Sequence, residues 1–459
     1  MVHEQTSDAP TQYRILDVLP FAKIEIKKEK TMRTFTFHMI AGLLAVGLVF
    51  GVNFAQAQAG TLDTRFGTDG TVTTIFTGAG SPVMLPIGAA HQANGDIVVL
   101  SEFDFVAGEG TQIGLTRYTA AGKLDKTFGT KGSTITNFSS FTFQPFAFAS
   151  EPNGKILVAG TVGGSASGVL EFGLAQFTAN GVLDTTFGTD GVAMTNFVAG
   201  LDAPDAFLLQ PNGQILMGGF KDGGRHTPGS LSLARFNSNG ALDPTFGTTG
   251  IALVTPAPIL GPQALALLSN GDYLAVGQSG DAHVGTVVEL TSTGELLPAL
   301  ATLGTVTASS PLAGVEPFPT IFESNGDYVV AQPSHTGGEN SHRTDVQVSR
   351  FSETGTLDTT FAETPFVFGT TANNTPQALA VQSNGQVVVG GLELSDGGPN
   401  FGGIARLDTN GELDTTFGSG GTLTVDNNVT ALLIDKNGDI LAIEGTGNDG
   451  IVVAAYLSN

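Results

Sequence analysis

The segment Leu183-Asp-Thr-Thr-Phe-Gly188-Thr-Asp-Gly191, running on into Val192-Ala-Met-Thr195, decides how this chain is read. An Asp within a turn-rich string, then glycine, then a short alternating run is the pattern of a tight turn feeding a β-strand. Next come Ala206-Phe-Leu-Leu-Gln210, then Pro-Asn-Gly213, then Gln214-Ile-Leu-Met-Gly-Gly219. Asn-Gly between two apolar runs is a strong hairpin signal, and the type I′ turn it suggests needs positive φ at both central residues. Ser230-Leu-Ser-Leu-Ala-Arg-Phe236 completes the set before Asn-Ser-Asn-Gly240. The stretch therefore offers four short strands, a to d in order.

The same text recurs along the chain. Leu-Asp-x-x-Phe-Gly stands at 62–67, 124–129, 183–188, 242–247 and 413–418, and as Leu357-Asp-Thr-Thr-Phe-Ala362. A worn copy, Gly294–Gly304, has neither the Asp nor the Phe. Asn-Gly falls at 94, 153, 212, 270, 325, 384 and 437, so seven copies follow one another every 53 to 59 residues. Strand c is apolar without alternation (Ile97–Leu100, Ile156–Ala159, Val387–Val389), as a strand covered on both faces would be. Four strands per ~40–60 residues, repeated, is what a β-propeller requires. Each blade hides its two oily faces against its neighbours. The expectation is an all-β, seven-bladed β-propeller with four antiparallel strands per blade. The final run, Ile451–Asn459, matches strand d, and Gly60-Thr-Leu-Asp63 continues the consensus at the next position. Joining of the two termini is therefore expected to close the ring, which a β-solenoid, the alternative, would not do.

Upstream of the repeats, Met39–Val52 is an uncharged run of fourteen residues, short of the about 20 that a spanning helix needs. Arg33 precedes it, and Ala55-Gln-Ala57 or Ala57-Gln-Ala59 supplies a small-x-small cleavage pattern. That is the layout of a secretory signal over 32–59, with 1–31 a spurious or disordered extension and 60–459 the repeat domain. After cleavage no membrane span is expected. The chain holds 19 Lys and Arg against 42 Asp and Glu, and no cysteine or tryptophan. Thiol catalysis, disulfides and Cys-zinc sites are excluded. Nucleic acid, which needs clustered cations, is not an expected partner.

Leu-Asp-x-Thr-Phe-Gly-x-x-Gly, a strand, then an Asn-Gly hairpin about 30 residues on resembles the bacterial delta-60 repeat family over essentially all of 60–459. The resemblance implies export and a propeller; it brings no activity and no catalytic residues. Quinoprotein, sialidase-box and kelch repeats lean on tryptophan, which is absent.

The repeated pairs are Asp63 and Phe66, Asp125 and Phe128, Asp184 and Phe187, Asp243 and Phe246, Asp358 and Phe361, and Asp414 and Phe417. Residues that recur identically lie a blade apart, whereas carboxylates must approach within about 2.6 Å of a shared calcium. These Asp are expected to hydrogen-bond turn backbone while Leu and Phe pack between blades. Asp435-Lys-Asn-Gly-Asp439 resembles a calcium loop in passing, but reads better as a hairpin turn. The histidines beyond the leader are His91 on strand b, and His226, His283, His335 and His342 in c–d connections. His335, Glu339 and His342 share one Gly-rich loop and are metal-ligand types, yet their spacing matches no known motif. No metal or cofactor is expected, calcium being the one candidate, and no Gly-x-Ser-x-Gly elbow occurs.

In such a meander the b–c and d–a turns share one end of the strands, and the a–b and c–d connections share the other. The repeated elements occupy the first end. The irregular stretches, 196–204, 221–229, 255–262, 303–319, 333–343 and 395–403, occupy the second. Uniformity at one end and variety at the other suits a scaffold that recognises something through its loops. The expected function is a secreted or cell-surface scaffold that binds an unknown protein or surface ligand as a monomer. The alternative is an extracellular hydrolase or lyase with its site in the central channel or loop face. A fold alone assigns neither.

Overall fold

The computed structural model describes residues 58–76, 83–104, 111–138, 140–163, 170–195, 202–221, 229–257, 259–278, 285–297, 319–335, 344–369, 373–394, 400–446 and 450–459. Among them all regular structure is β. Strand β1 (Thr71–Ile75) precedes β2 (Val83–His91), β3 (Ile97–Asp104), β4 (Thr111–Tyr118) and β5 (Ser133–Thr136). Next come β6 (Thr142–Ser150), β7 (Ile156–Gly163), β8 (Leu170–Phe177) and β9 (Val192–Met194). They are followed by β10 (Asp202–Leu209), β11 (Ile215–Lys221), β12 (Ser230–Phe236) and β13 (Ile251–Val254). Each of these runs of four, β2 to β5, β6 to β9 and β10 to β13, is an antiparallel sheet in chain order.

Strands β14 (Leu260–Leu267), β15 (Tyr273–Gln278) and β16 (Gly285–Leu290) form a three-stranded sheet. Strands β17 (Thr320–Phe322), β18 (Tyr328–His335) and β19 (Thr344–Phe351) meet β20 (Asn373–Val381) through one parallel bridge, Thr344 to Asn373. With β21 (Val387–Leu394), β22 (Phe401–Leu407) and β23 (Thr422–Val425) they make a seven-stranded sheet. Finally β24 (Asn428–Ile434), β25 (Ile440–Gly445) and β26 (Gly450–Tyr456) take β1 as their fourth strand. There Thr71 stands opposite Ala454 and Ile75 opposite Gly450, so the first described strand pairs with the last.

A sheet therefore takes strands b, c and d from one copy of the text and strand a from the next. The Leu-Asp-x-x-Phe-Gly turn joins the last two strands of a sheet, and the a–b stretch passes between sheets.

The hairpins form where Asn-Gly predicts them, but the turn is not type I′. Gly95, Gly154, Gly213 and their counterparts have φ between 84° and 91°, while no Asn of these pairs is left-handed. Gly95 N–H donates to the Gln92 carbonyl and Gln92 N–H to the Asp96 carbonyl, a type I turn closed by a left-handed glycine bulge. Asn94 is used differently: its side-chain oxygen accepts the Asp96 N–H at 3.1 Å. The extra residue lets Asn act through its side chain, so only glycine carries the positive φ.

Strand c is buried on both faces, and its alternation explains why. On β3, Val98 and Leu100 pack with Ile156 and Val158 of β7, whereas Ile97 and Val99 pack with Leu441 and Ile443 of β25. Further clusters join β7 to β11, β11 to β15, β15 to β18, β18 to β21 and β21 to β25. Every c strand thus presents alternate side chains to two neighbours, and polar residues there would strand unpaired groups between sheets.

Candidate functional site

The repeated aspartates sit at the d–a turns and share one geometry. One carboxylate oxygen of Asp125 accepts the Thr127 N–H at 3.0 Å and the Thr127 hydroxyl at 2.6 Å. The other is gripped by Arg117, eight residues earlier on β4, at 2.8 and 2.6 Å. Asp243 with Arg235, Asp358 with Arg350 and Asp414 with Arg406 repeat the pair. Two sheets substitute. Gln176 stands where Arg would be, and Lys155 reaches Asp184 at 2.6 Å instead. Ala455 stands there in the last sheet, and Arg65 turns back onto Asp63 at 2.8 Å.

Each such Arg lies over the ring of its repeat phenylalanine at 4.7 to 4.9 Å: Phe128, Phe246, Phe361 and Phe417. Its remaining nitrogen donates to the next d–a turn, at the carbonyls of Ala179, Ser292, Thr409 and Ser458. Phe66 and Phe187, in the two substituted sheets, are buried as well. Hydrogen bonds from Lys155 and Thr186 hold Asp184 down at about 2. Those from Thr360 and Arg350 do the same for Asp358. Burial opposes the charge of Asp243 and Asp414, yet the threonine and arginine contacts outweigh it and keep both below the usual range. Through their arginines, four of these carboxylates are tied to the turn of the neighbouring sheet, whereas the Asp184–Lys155 and Asp63–Arg65 pairs lie within one sheet.

The other end of the strands differs. The leading strand of six sheets (β2, β6, β10, β14, β20 and β24) carries a β-bulge. The bulge follows Pro86, Pro145, Pro204, Pro262, Pro376 and Val429. A proline fits because a leading strand pairs mainly on one side and needs no N–H on the other. The signal was in the text: proline stands eight residues before the Asn of Asn-Gly in six copies, counting Pro317, which lies outside the described residues.

In four of the six the bulged residue reaches toward the next sheet, whereas Thr430 bonds the Ile443 carbonyl of its own sheet. Ile87 and Phe146 add to the apolar cores between sheets. Gln377 accepts from the Asn428 amide at 2.8 Å. Asp205 faces Gly261, whose missing side chain leaves room for its carboxylate. Partial enclosure pushes Asp205 up to about 6, although its side chain still meets solvent. Glu444, on β25, is buried where four other sheets have glycine. It accepts from the Asn427 amide at 3.1 Å and faces the Tyr456 hydroxyl at 3.4 Å. Desolvation pushes it up to about 7, with the negative Asp426 adding to the effect.

Of the weak metal candidates, His335 ends β18, while Glu339 and His342 lie outside the described residues, as do His226 and His283. Asp435 caps its own hairpin, accepting the Asn437 and Asp439 N–H groups. Among the described residues no group of three or more His, Cys, Asp or Glu could hold a metal. No helix among them is long and apolar enough to cross a membrane. A groove of about 1000 Å³ runs along β13, lined by Lys221, Thr245, Leu253, Thr293 and Glu295 among others. It borders the worn copy, whose continuation at 298–318 is outside the described residues.

A family model described as "Domain of unknown function (DUF5122) beta-propeller" matches residues 92–128, 151–187, 210–246 and 382–417. Each match opens at the hairpin turn and ends on the repeat phenylalanine. The chain carries β-propeller repeats. No curated protein matches the sequence. Among solved structures, the WD40 propeller domain of Doa1 aligns at 9% identity and TM-score 0.45, over 88% of this chain and 98% of that one. The extracellular domain of BT4673 from B. thetaiotaomicron aligns at 9% and 0.38, and 83% of this chain spans only 39% of it. Penicillium chrysogenum alpha-L-arabinanase aligns at 12% and 0.42, over 84% and 97%. No activity or ligand is carried over from them.

Proposed function

We propose that residues 60–459 form a seven-bladed propeller, closed through its termini, that acts as an exported binding scaffold of the delta-60 type. Closure is supported by the β1–β26 pairing and by the core cluster shared between β25, β26, β3 and β4. The leader, residues 32–59 behind a dispensable 1–31, directs export to the periplasm, cell surface or medium. Recognition runs through the a–b and c–d connections, toward an unknown protein or surface ligand, with no cofactor and as a monomer.

One observation carries this reading. Every repeated ion pair and turn-to-turn hydrogen bond lies at the Asp-Phe end, so the loop end varies without disturbing the joints between sheets. The six Asp and Phe pairs are structural positions on this view.

The test is an unbiased pull-down with the exported domain, with and without chelator. A partner lost when 221–229 and 333–343 are replaced by short glycine turns supports recognition at the loop end. A partner retained by both replacements overturns it. Small-angle scattering checks the ring: a squat toroid is expected, and a rod would refute closure.

A further inference from the structure

Side chains at the Asp-Phe end tie one sheet to the next in a repeated way. Where the first residue of a b–c turn is Gln, it reaches across. Gln92 donates to the Gly154 carbonyl at 2.8 Å, Gln382 to the Gly438 carbonyl at 2.7 Å and Gln210 to the Tyr273 hydroxyl at 3.1 Å. Arg235, held by Asp243, donates to the same hydroxyl at 3.1 Å. The repeat phenylalanine wedges against the glycine that ends the next d–a turn: a methyl on Gly181 would lie 2.5 Å from Phe128, and one on Gly294 2.6 Å from Phe246. Joints without the arginine keep other ties. Between β7 and β11, Phe187 packs on Gly240 and Gly188 N–H donates to Asn239. Between β25 and β3, Phe66 packs on Gly122, Gly67 N–H donates to Ala121 and the Tyr118 hydroxyl donates to Thr74.

The joint of β15 with β18 differs. Leu297 N–H donates to the Glu289 carbonyl as Asp243 N–H donates to Arg235, so Glu289 holds the arginine place and Leu297 the aspartate place. Leu268 N–H donates to Asp272 as Gln210 N–H donates to Gln214, so leucine holds the glutamine place. The worn copy has no phenylalanine to supply the wedge. Tyr328 opens its c strand as Tyr273 does, yet it is fully buried with no partner for its hydroxyl. The turn-to-turn N–H donor of this joint falls at residue 301, outside the described residues. What the described residues supply is apolar packing, Leu274 and Val276 of β15 against Tyr328 and Val330 of β18.

We infer that this joint is a built-in opening line: the sheets part between β15 and β18 while the joint of β25 with β3, beside the pairing of the first and last strands, stays shut. Packed proteins open locally along their least stable contacts, and those are the contacts that conformational change uses. Each lost hydrogen bond is worth about fivefold in an opening equilibrium, and an orphaned buried hydroxyl or an absent aromatic wedge weighs at least as much. No other joint among the described residues lacks the arginine, the glutamine and the wedge together. Opening here is independent of export and of what the loop end binds.

The natural chain has no cysteine, so one buried thiol can report on each joint. Val330→Cys marks β15 with β18, Ala275→Cys β11 with β15, Ala159→Cys β7 with β11, and Val99→Cys β25 with β3. All four positions are buried. Each variant is treated with a thiol reagent in native buffer and followed by intact mass, and its rate is divided by its own rate in unfolding urea. Val330→Cys is expected to react about tenfold faster than the other three. Equal rates, the mark of global unfolding, or a faster thiol at another joint would overturn the inference. A second variant checks the cause. Adding Glu289→Arg and Leu297→Asp to Val330→Cys supplies a guanidinium with its counter-ion and a donor for the Tyr328 hydroxyl. Labelling is expected to slow about fivefold. An unchanged or faster rate would overturn the assignment of the weak joint to these missing ties.

Discussion

Asp243 and Asp63 hold the same place in the repeat but not the same surroundings. Arg235 and Asp243 have only 10% and 6% of their side chains exposed, whereas Arg65 is 71% exposed. Removing Asp243 leaves a buried guanidinium without its counter-ion, so Asp243→Ala should cost about 3 kcal/mol or more. Asp63→Ala should stay within about 1 kcal/mol, as exposed pairs do. Urea denaturation of the two variants side by side measures the contrast. Glu444 acts in the opposite sense with pH. Its folded pKa lies above the ordinary carboxylate value, so the folded state holds its proton more tightly than the unfolded one. The associated stability is complete below about 4.5 and is lost as pH rises toward 7, about 3 kcal/mol in all. Glu444→Gln should abolish that slope, and an unchanged slope in urea midpoints between pH 4.5 and 8 would refute the assignment. The repeated aspartates Asp184 and Asp358 have lowered values, so their contribution is present above about pH 4 and fades as pH falls toward 2.

At the scale of elements, the strands were legible because their patterning reports what covers them. Ile97–Leu100 reads as buried on both sides, and it is. Turn type was less legible, because Asn-Gly serves both a type I′ turn and a type I turn with a glycine bulge. The backbone tells them apart: Asn94 is not left-handed, and the Gln92 N–H reaches the Asp96 carbonyl. The partner of each repeated Asp was also missed, although Arg precedes four of them by eight residues. Reading Asp-x-Thr as a local turn left no reason to look back along strand d. The glycines of the two turn classes should respond differently. Gly271 has φ of 91° and nothing near its absent side chain, so Gly271→Ala bears only backbone strain, about 1 kcal/mol. Gly240 has φ of 86°, and an added methyl would lie 2.9 Å from the Gly188 nitrogen and 3.0 Å from Phe187. Gly240→Ala should therefore lose about 1–3 kcal/mol more, through crowding of the neighbouring turn. Equal urea midpoints for the two variants would contradict the inter-sheet packing.

At the scale of the whole molecule, the pairing of β1 with β26 makes a covalent test available. Thr73 and Val452 are opposite one another, and Ala455 N–H donating to Gly70 places them in the closer, non-hydrogen-bonded class of pair. The natural chain has no cysteine, so T73C with V452C can form a single crosslink. It should form without a catalyst, run faster on a non-reducing gel and raise Tm; failure to oxidise would argue against the pairing. What the sequence could not convey at this scale is what the loop end binds, because the one residue repeated there, the bulge proline, shapes backbone and carries no chemistry from which to reason. The bulges behind Pro86, Pro145, Pro204, Pro262 and Pro376 have one more effect. A bare strand rim invites another chain to dock and extend the sheet, but a kinked rim lacking an amide hydrogen cannot template that growth. Copies that come partly apart would thus meet poor seeds in one another, and fibre formation should lose to reclosure.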